Sequence, residues 1–303
     1  MRIASTQYES ILNRSLTLNQ EKISHISQQL ATGNKIELPS DDPIANVRLS
    51  RLNREEAILT QYRDNIGAVK IGLQKNETYL SSMVTDMQEG RDLLVWASDG
   101  GNASADLGAM VNSMTALRDS LFYSANVKDQ EGRSVFAGTL SNSPALSYNA
   151  LAPLGARYSY TGNNGQQMVT VGNGITQAAN VDVDGLQTLL NQMDSTIATL
   201  GTPGVNVNDP LVRTVLGANL DGMDAAMGLV STKIAIFGGA QNILATLDGN
   251  HGNVSLSNKM AIHDIGDLDY SIAATSLNGY SSALQATYKA YTKVSGLSLF
   301  DAL

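Results

Sequence analysis

The stretch Ala31-Thr-Gly-Asn-Lys-Ile-Glu-Leu-Pro-Ser-Asp-Asp-Pro-Ile-Ala-Asn-Val-Arg-Leu-Ser-Arg-Leu52 decides how this chain is read. At its centre two adjacent carboxylates, Asp41 and Asp42, precede Pro43. Such a pair can be a metal site, an acid/base pair or a corner between helices. Proline suits the first helical position, because its missing N–H is unbonded there in any residue. Asp42 stands where a side chain caps the free amides of the next helix. Asp41 lies in the favourable field of the same helix start. The expected role of Gly33, Asp41, Asp42 and Pro43 is therefore a cap and turn. A catalytic pair would need a further partner, and the sequence around it supplies none.

On the N-terminal side, Leu12, Leu16, Asn19, Ile23, Ile26 and Leu30 step by four and three, a heptad seam. That helix should end near Gly33, a suitable left-handed cap residue. On the C-terminal side a second pattern starts at Pro43 and continues through Leu59, Ile66, Leu73, Leu80, Met87 and Leu94 to about Ala97. At about 1.5 Å per residue it would span roughly 80 Å, which favours a rod or coiled coil over a compact domain. A third helix is expected through Leu107, Met110, Met114, Leu117 and Leu121 to about Lys128.

The texture then changes. Between about Asp129 and Asp184 the chain is rich in Gly, Asn, Pro and Thr. The segment from Ala156 to Gly172 alternates on both sides of Thr161-Gly-Asn-Asn-Gly165, which predicts one β-hairpin with Asn164-Gly165 in its turn. The surrounding insertion is expected to be β-rich with a sparse core. A short helix follows through Leu186, Leu189, Met193, Ile197 and Leu200. From Pro210 the helical rule returns through Leu216, Met223, Val230 and Phe237, with Asp248-Gly-Asn-His-Gly-Asn253 read as a break or irregularity. The last seam carries Leu277, Tyr280, Leu284, Tyr291 and Val294.

The expected fold is mainly α with a β-rich insertion, a long antiparallel helical bundle or coiled coil built from the N- and C-terminal segments. Its expected divisions are residues 1–42 and 256–303 as assembly helices, 43–134 and 206–255 as halves of a helical rod domain, and 135–205 as an outer insertion. Leu12, Leu16, Ile23, Ile26, Leu30, Leu277, Tyr280, Leu284, Tyr291 and Val294 are the expected subunit assembly seam. Arg48, Arg51 and Arg54 make a basic strip, read either as a solvated face partnered by Glu55 and Glu56 or as a polar contact to a neighbouring subunit.

Composition narrows the function. The 303 residues carry a net charge of −8, from 28 acidic and 20 basic side chains, which argues against nucleic acid as a partner. Cysteine is absent, which removes disulfides, thiolate metal sites and cysteine nucleophiles. No phosphate-binding loop, G-x-S-x-G or H-E-x-x-H motif occurs. His263 and Asp267 could share a helix face, and a solvated pair is the preferred reading. Asp182 and Asp184 begin a calcium-like loop whose closing acid is missing in either frame. No apolar run is long enough to cross a membrane, and the N-terminus has no secretory h-region. No cofactor, metal or enzymatic role is expected.

Leu30 to Leu73 closely resembles the N-terminal signature of the bacterial flagellin family, in which L-S-T-G-x-R-I-x-x-x-x-D-D-P leads into a long helix. Leu30, Thr32, Gly33, Ile36, Asp41, Asp42, Pro43, Arg48, Leu49, Asn65 and Ile66 stand at matching positions. Ala125 to Thr139 and Asp269 to Leu303 resemble the family's hook-associated branch more than its filament proteins. Thr232 to Leu244 departs from the family's commoner R-A-x-x-G-A-x-x-N-R-L: Gly239 and Asn242 match, the basic residue is Lys233, and Ile243 replaces the second arginine.

The resemblance implies a structural component of the flagellum, outside the cell, that forms a junction ring between hook and filament. It implies a homo-oligomer ring, an adjacent hook-associated protein 1-like junction subunit, the flagellin filament and a cytoplasmic export chaperone as partners, with export through the flagellar apparatus without a cleaved signal. Leu297, Leu299 and Phe300 are candidates for chaperone or axial contact. The alternatives are a minor flagellin that polymerises as filament, and a surface or glycan-binding module near Tyr158, Tyr160 and residues 163–167.

Overall fold

The structure is a computed structural model describing the backbone of residues 2–300 and the side chains of residues 7–293. Six helices and four short strands follow in the order α1 (Arg2–Thr32), α2 (Pro43–Ala97), α3 (Ser104–Ala125), β1 (Leu146–Tyr148), β2 (Tyr158–Tyr160), β3 (Met168–Gly172), β4 (Ile175–Ala178), α4 (Leu186–Leu200), α5 (Pro210–Gly266) and α6 (Tyr270–Phe300). Among the described residues the fold is mainly helical, with two 2-stranded antiparallel sheets and no closed sheet. It divides into two compact units, Met1–Leu59 with Gly252–Leu303, and Thr60–His251.

Both long helices start with the same device. Asp42 Oδ1 accepts from the Ala45 amide at 2.9 Å, one residue before Pro43. Asp209 Oδ1 accepts from the Leu211 amide at 2.9 Å, one residue before Pro210. In each case a carboxylate satisfies an amide that the helix leaves unbonded, and proline sets φ for the first turn.

The second unit holds the core. Ile66, Leu73, Leu80, Met83, Met87 and Leu94 of α2 are buried against Met114 and Leu121 of α3, Leu186 to Leu200 of α4, and Leu216, Met223, Val230, Phe237 and Leu244 of α5. Within this unit α2 and α5 run antiparallel, as the pairs Arg91–Asp224 (2.7 Å) and Arg63–Asp248 (2.8 Å) record. Gly90 lies on that seam because a Cβ there would stand 2.6 Å from the tip of Met223.

Three expectations change here. Asp248 to Asn253 lies inside one uninterrupted helix, α5. Asp248 is held by Arg63, and the His251 ring meets the Val171 carbonyl at 2.8 Å and Tyr62 at 5.5 Å between centroids. Tertiary contacts outweigh the roughly 1 kcal/mol helix cost of each glycine.

The single hairpin across residues 156–172 is replaced by two. β1 pairs with β2 (Leu146↔Tyr160, Tyr148↔Tyr158), and β3 pairs with β4 (Met168↔Ala178). Residues 161–167 link the two sheets instead of turning one. The insertion's core is also fuller than expected, since Phe136, Ala145, Leu146, Tyr158, Val171 and Val183 join the buried cluster of the helices.

Two short strands alone would leave most backbone groups unpaired, and asparagine side chains fill the gap. Asn126 binds β1 as a strand would: its Nδ2 donates to the Leu146 carbonyl and its Oδ1 accepts the Leu146 amide, both at 2.9 Å. Asn191 of α4 does the same for β2, with the Tyr158 amide (2.9 Å) and carbonyl (2.8 Å). Each edge of this small sheet thus has one residue whose amide and carbonyl are both paired by a side chain.

Candidate assembly surfaces

The first unit is built from the two ends of the sequence. α1 packs against α6 in antiparallel sense, with Gln20 Nε2 donating to the Tyr288 hydroxyl at 3.2 Å. On α1, Leu12 and Ile26 are buried, and Leu16, Ile23 and Leu30 are half-buried. On α6, Leu277, Tyr280, Leu284 and Tyr291 are half-buried. The side chains of Val294, Leu297, Leu299 and Phe300 lie outside the described residues. Tyr8, Ile11 and Leu18 on α1, Ile272 and Tyr288 on α6, and Leu256 and Met260 on α5 stay exposed. Packing of α1 on α6 buries one face of each helix, and these apolar side chains remain exposed on the others.

The corner that opened the sequence joins this unit. Gly33 has φ +77°, and a Cβ there would stand 3.0 Å from the Tyr270 hydroxyl. The Lys35 amide donates to the Gly266 carbonyl (2.7 Å), and the Leu268 amide to the Gly33 carbonyl (2.9 Å). The turn after α1 is thereby stitched to the turn between α5 and α6, and Asp269 caps α6 through the Ser271 and Ile272 amides.

Asp41 makes its hydrogen bonds within the linker before α2. Its Oδ2 accepts from the amides of Leu38 (2.9 Å) and Glu37 (3.1 Å), and His25 Nε2 lies 3.5 Å away. The Leu38 amide, above all, holds this carboxyl below its usual value of 3.8. Asp41 folds the linker, and Asp42 caps the helix.

Arg48, Arg51 and Arg54 are exposed on the first turns of α2. None forms an ion pair among the described residues; Glu56, the acid expected beside them, instead pairs with Lys259 (3.2 Å) and accepts from the Ser255 hydroxyl at 2.5 Å. His263 and Asp267 do pair, on an exposed face of α5. Asp182, the first residue of the calcium-like run, pairs with Lys233 of α5 at 3.1 Å.

One charged cluster escaped the sequence reading. Asp194 of α4 is 4% exposed. It pairs with Arg118 of α3 (3.0 Å) and with Arg157 before β2 (3.2 Å). The sequence signal was slight: an acid directly beside Met193 on an apolar helix face. Tyr158 packs edge-on to Phe122 at 5.5 Å between centroids, and burial pushes its hydroxyl pKa up to about 12. The Tyr160 hydroxyl donates to the Asn163 carbonyl at 3.0 Å. Both tyrosines are held by contacts within the second unit.

Among the described residues no group of three His, Cys, Asp or Glu could hold a metal ion, and no helix is long and apolar enough to cross a membrane. Capped long helices, a second unit with a buried core and a first unit with exposed apolar side chains are the features of a helical structural subunit.

The comparisons place it. Residues 3–141 match the bacterial flagellin N-terminal helical region. Flagellar hook-associated protein 3 of Salmonella typhimurium is 29% identical over 320 residues, covering 99% of each chain. Its Escherichia coli counterpart is 28% identical and covers 95% of each. The solved structure of a protein described as flagellar hook-associated, from Vibrio parahaemolyticus, is 31% identical with a TM-score of 0.68, covering 75% of this chain and 100% of that one. The chain belongs to the flagellin family, in its hook-associated branch, and is a structural protein of the flagellum.

Proposed function

We propose that this chain forms the junction ring between the flagellar hook and filament, outside the cell. The observation that carries the reading is the end-to-end likeness to hook-associated protein 3, 99% of both chains. The first unit supports it. Burying the exposed faces of α1 and α6 against neighbouring copies would contribute roughly 25 cal/mol per Å² before ordering costs. A subunit that presents different faces to its neighbours makes heterologous contacts, which close into a ring or extend as a helix. One end of the ring would meet a hook-associated protein 1-like subunit and the other the flagellin filament. A cytoplasmic chaperone would cover the C-terminal segment, including Leu297, Leu299 and Phe300, before export.

Deleting the gene should leave hooks without filaments and flagellin in the medium. Attached filaments on the deletion strain would refute the role. Labelled protein should lie as a single band at the hook tip; label along the filament would favour a minor flagellin.

A further inference from the structure

Among the described residues, the exposed face at the start of α2 has no partner. Ile44, Val47, Arg48, Arg51, Arg54 and Ile58 all point outward on it, Ile44 with 84% of its surface exposed. Their spacing puts them within one stripe of the helix. Glu55 shares the stripe and forms no ion pair among the described residues. A stripe of large apolar side chains and arginine is the composition of an interface, since arginine carries both stacking area and forked donors.

Further along the same helix, in the second unit, lies its complement. α2 and α3 frame a groove of about 600 Å³ lined by Glu89, Asp92, Leu93, Ser113, Ala116 and Leu117. Glu89 and Asp92 are exposed and make no ion pair among the described residues, although Arg91 between them is paired with Asp224. Asp86 continues the acidic row and accepts from the Ser120 hydroxyl at 2.7 Å. Leu93 and Leu117 are half-buried and give the groove an apolar floor. The acids Asp86, Glu89 and Asp92 repeat every third residue, as do Arg48, Arg51 and Arg54. α2 is one uninterrupted helix, so it cannot lay its own first turns into a groove that it helps to frame.

We propose that the Arg48–Arg51–Arg54 face of one copy docks in the Glu89–Asp92 groove of a second copy, a head-to-tail contact. The guanidinium groups meet the carboxylates, and Ile44, Val47 and Ile58 meet Leu93 and Leu117. Such a contact uses two different surfaces, so it leaves one of each free and propagates from copy to copy. It rests on the self-assembly part of the proposed function and adds the surfaces that give the array its direction. Charge pairing sets register and rejects wrong partners more than it adds affinity.

The test uses the full-length chain, with self-association followed by sedimentation at low salt. Reversing the strip (R48E, R51E, R54E) or the groove (E89R, D92R) should each weaken association by about tenfold or more. Combining the two sets should restore it to within about threefold. Neutral variants (R48Q, R51Q, R54Q, or E89Q with D92N) give a second measure that does not depend on refitting reversed charges: their association should lose most of the wild-type salt sensitivity. Single reversals that associate like the wild type, a combination that stays impaired, or neutral variants with unchanged salt sensitivity would overturn the pairing. A strain that builds normal junctions from reversed variants would sink the pairing and leave the junction role standing. Normal filaments on a deletion strain would sink the junction role itself.

Discussion

At the scale of single residues, close backbone approach and buried charge decide most. Gly138 has φ +69°, and a Cβ on it would stand 1.9 Å from the Asn163 carbonyl oxygen. Gly138→Ala must break that approach as well as bear the unfavourable φ. Denaturant unfolding should show a loss of about 2–4 kcal/mol. Asp194→Asn removes the charge that Arg118 and Arg157 share while keeping the shape. Breaking a buried pair from one side costs about 3–5 kcal/mol, and the partial exposure of both arginines places the expected loss near the lower end. A loss under about 1 kcal/mol would show that the cluster is solvated.

Asp41 supplies a pH dependence. Its folded-state pKa lies below 3.8, because the carboxylate accepts from the Leu38 and Glu37 amides and sits beside His25. A depressed pKa means that the contribution is complete above the unfolded value and disappears as pH falls through the folded one. The Glu37 and Leu38 amide resonances should therefore titrate with a midpoint below 3.8. A midpoint at or above that value would mean that these hydrogen bonds do not form.

At the scale of elements, the helices were legible and the strands were not. Each long helix shows its start as Asp-Pro and its inner face as a three-four repeat, both local properties of the chain. Thr161 to Gly165 looked like a hairpin turn because Asn-Gly is a strong local signal. The structure uses those residues otherwise. The Thr139 amide donates to Asn163 Oδ1 at 2.8 Å, and buried Asn180 donates to the carbonyls of Gly138 (3.0 Å) and Gly165 (3.1 Å). A local turn preference is worth less than this set of buried hydrogen bonds. The Asn126 and Asn191 side chains likewise act as missing strand partners. Replacing either with alanine should orphan two backbone groups and cost about 1–3 kcal/mol; hydrogen exchange at Leu146 or Tyr158 should accelerate in step.

At the scale of the whole molecule, the two units predict separable behaviour. The buried cluster lies wholly within Thr60–His251. The only tryptophan, Trp96, lies there too, so its emission reports that unit alone. Removing residues 284–303 should leave the Trp96 unfolding transition within a few degrees of wild type and abolish incorporation into flagella. Incorporation of the truncated chain would refute the assembly role given to α6. A collapse of the Trp96 transition would show that the second unit depends on the first.

What the sequence determined by itself was the class of architecture: seam helices at both ends, two long helices between them, an irregular insertion, and a flagellin-like corner at Gly33 to Pro43. Those follow from periodicity and capping, which act over a few residues. Only the tertiary structure decided the pairing of the four strands, the continuity of α5 through Gly249 and Gly252, the burial of Asp194, and which charged side chains find partners. Each depends on groups far apart in sequence being brought within hydrogen-bond reach. Pattern records which face a residue takes, and only the fold sets what stands opposite it.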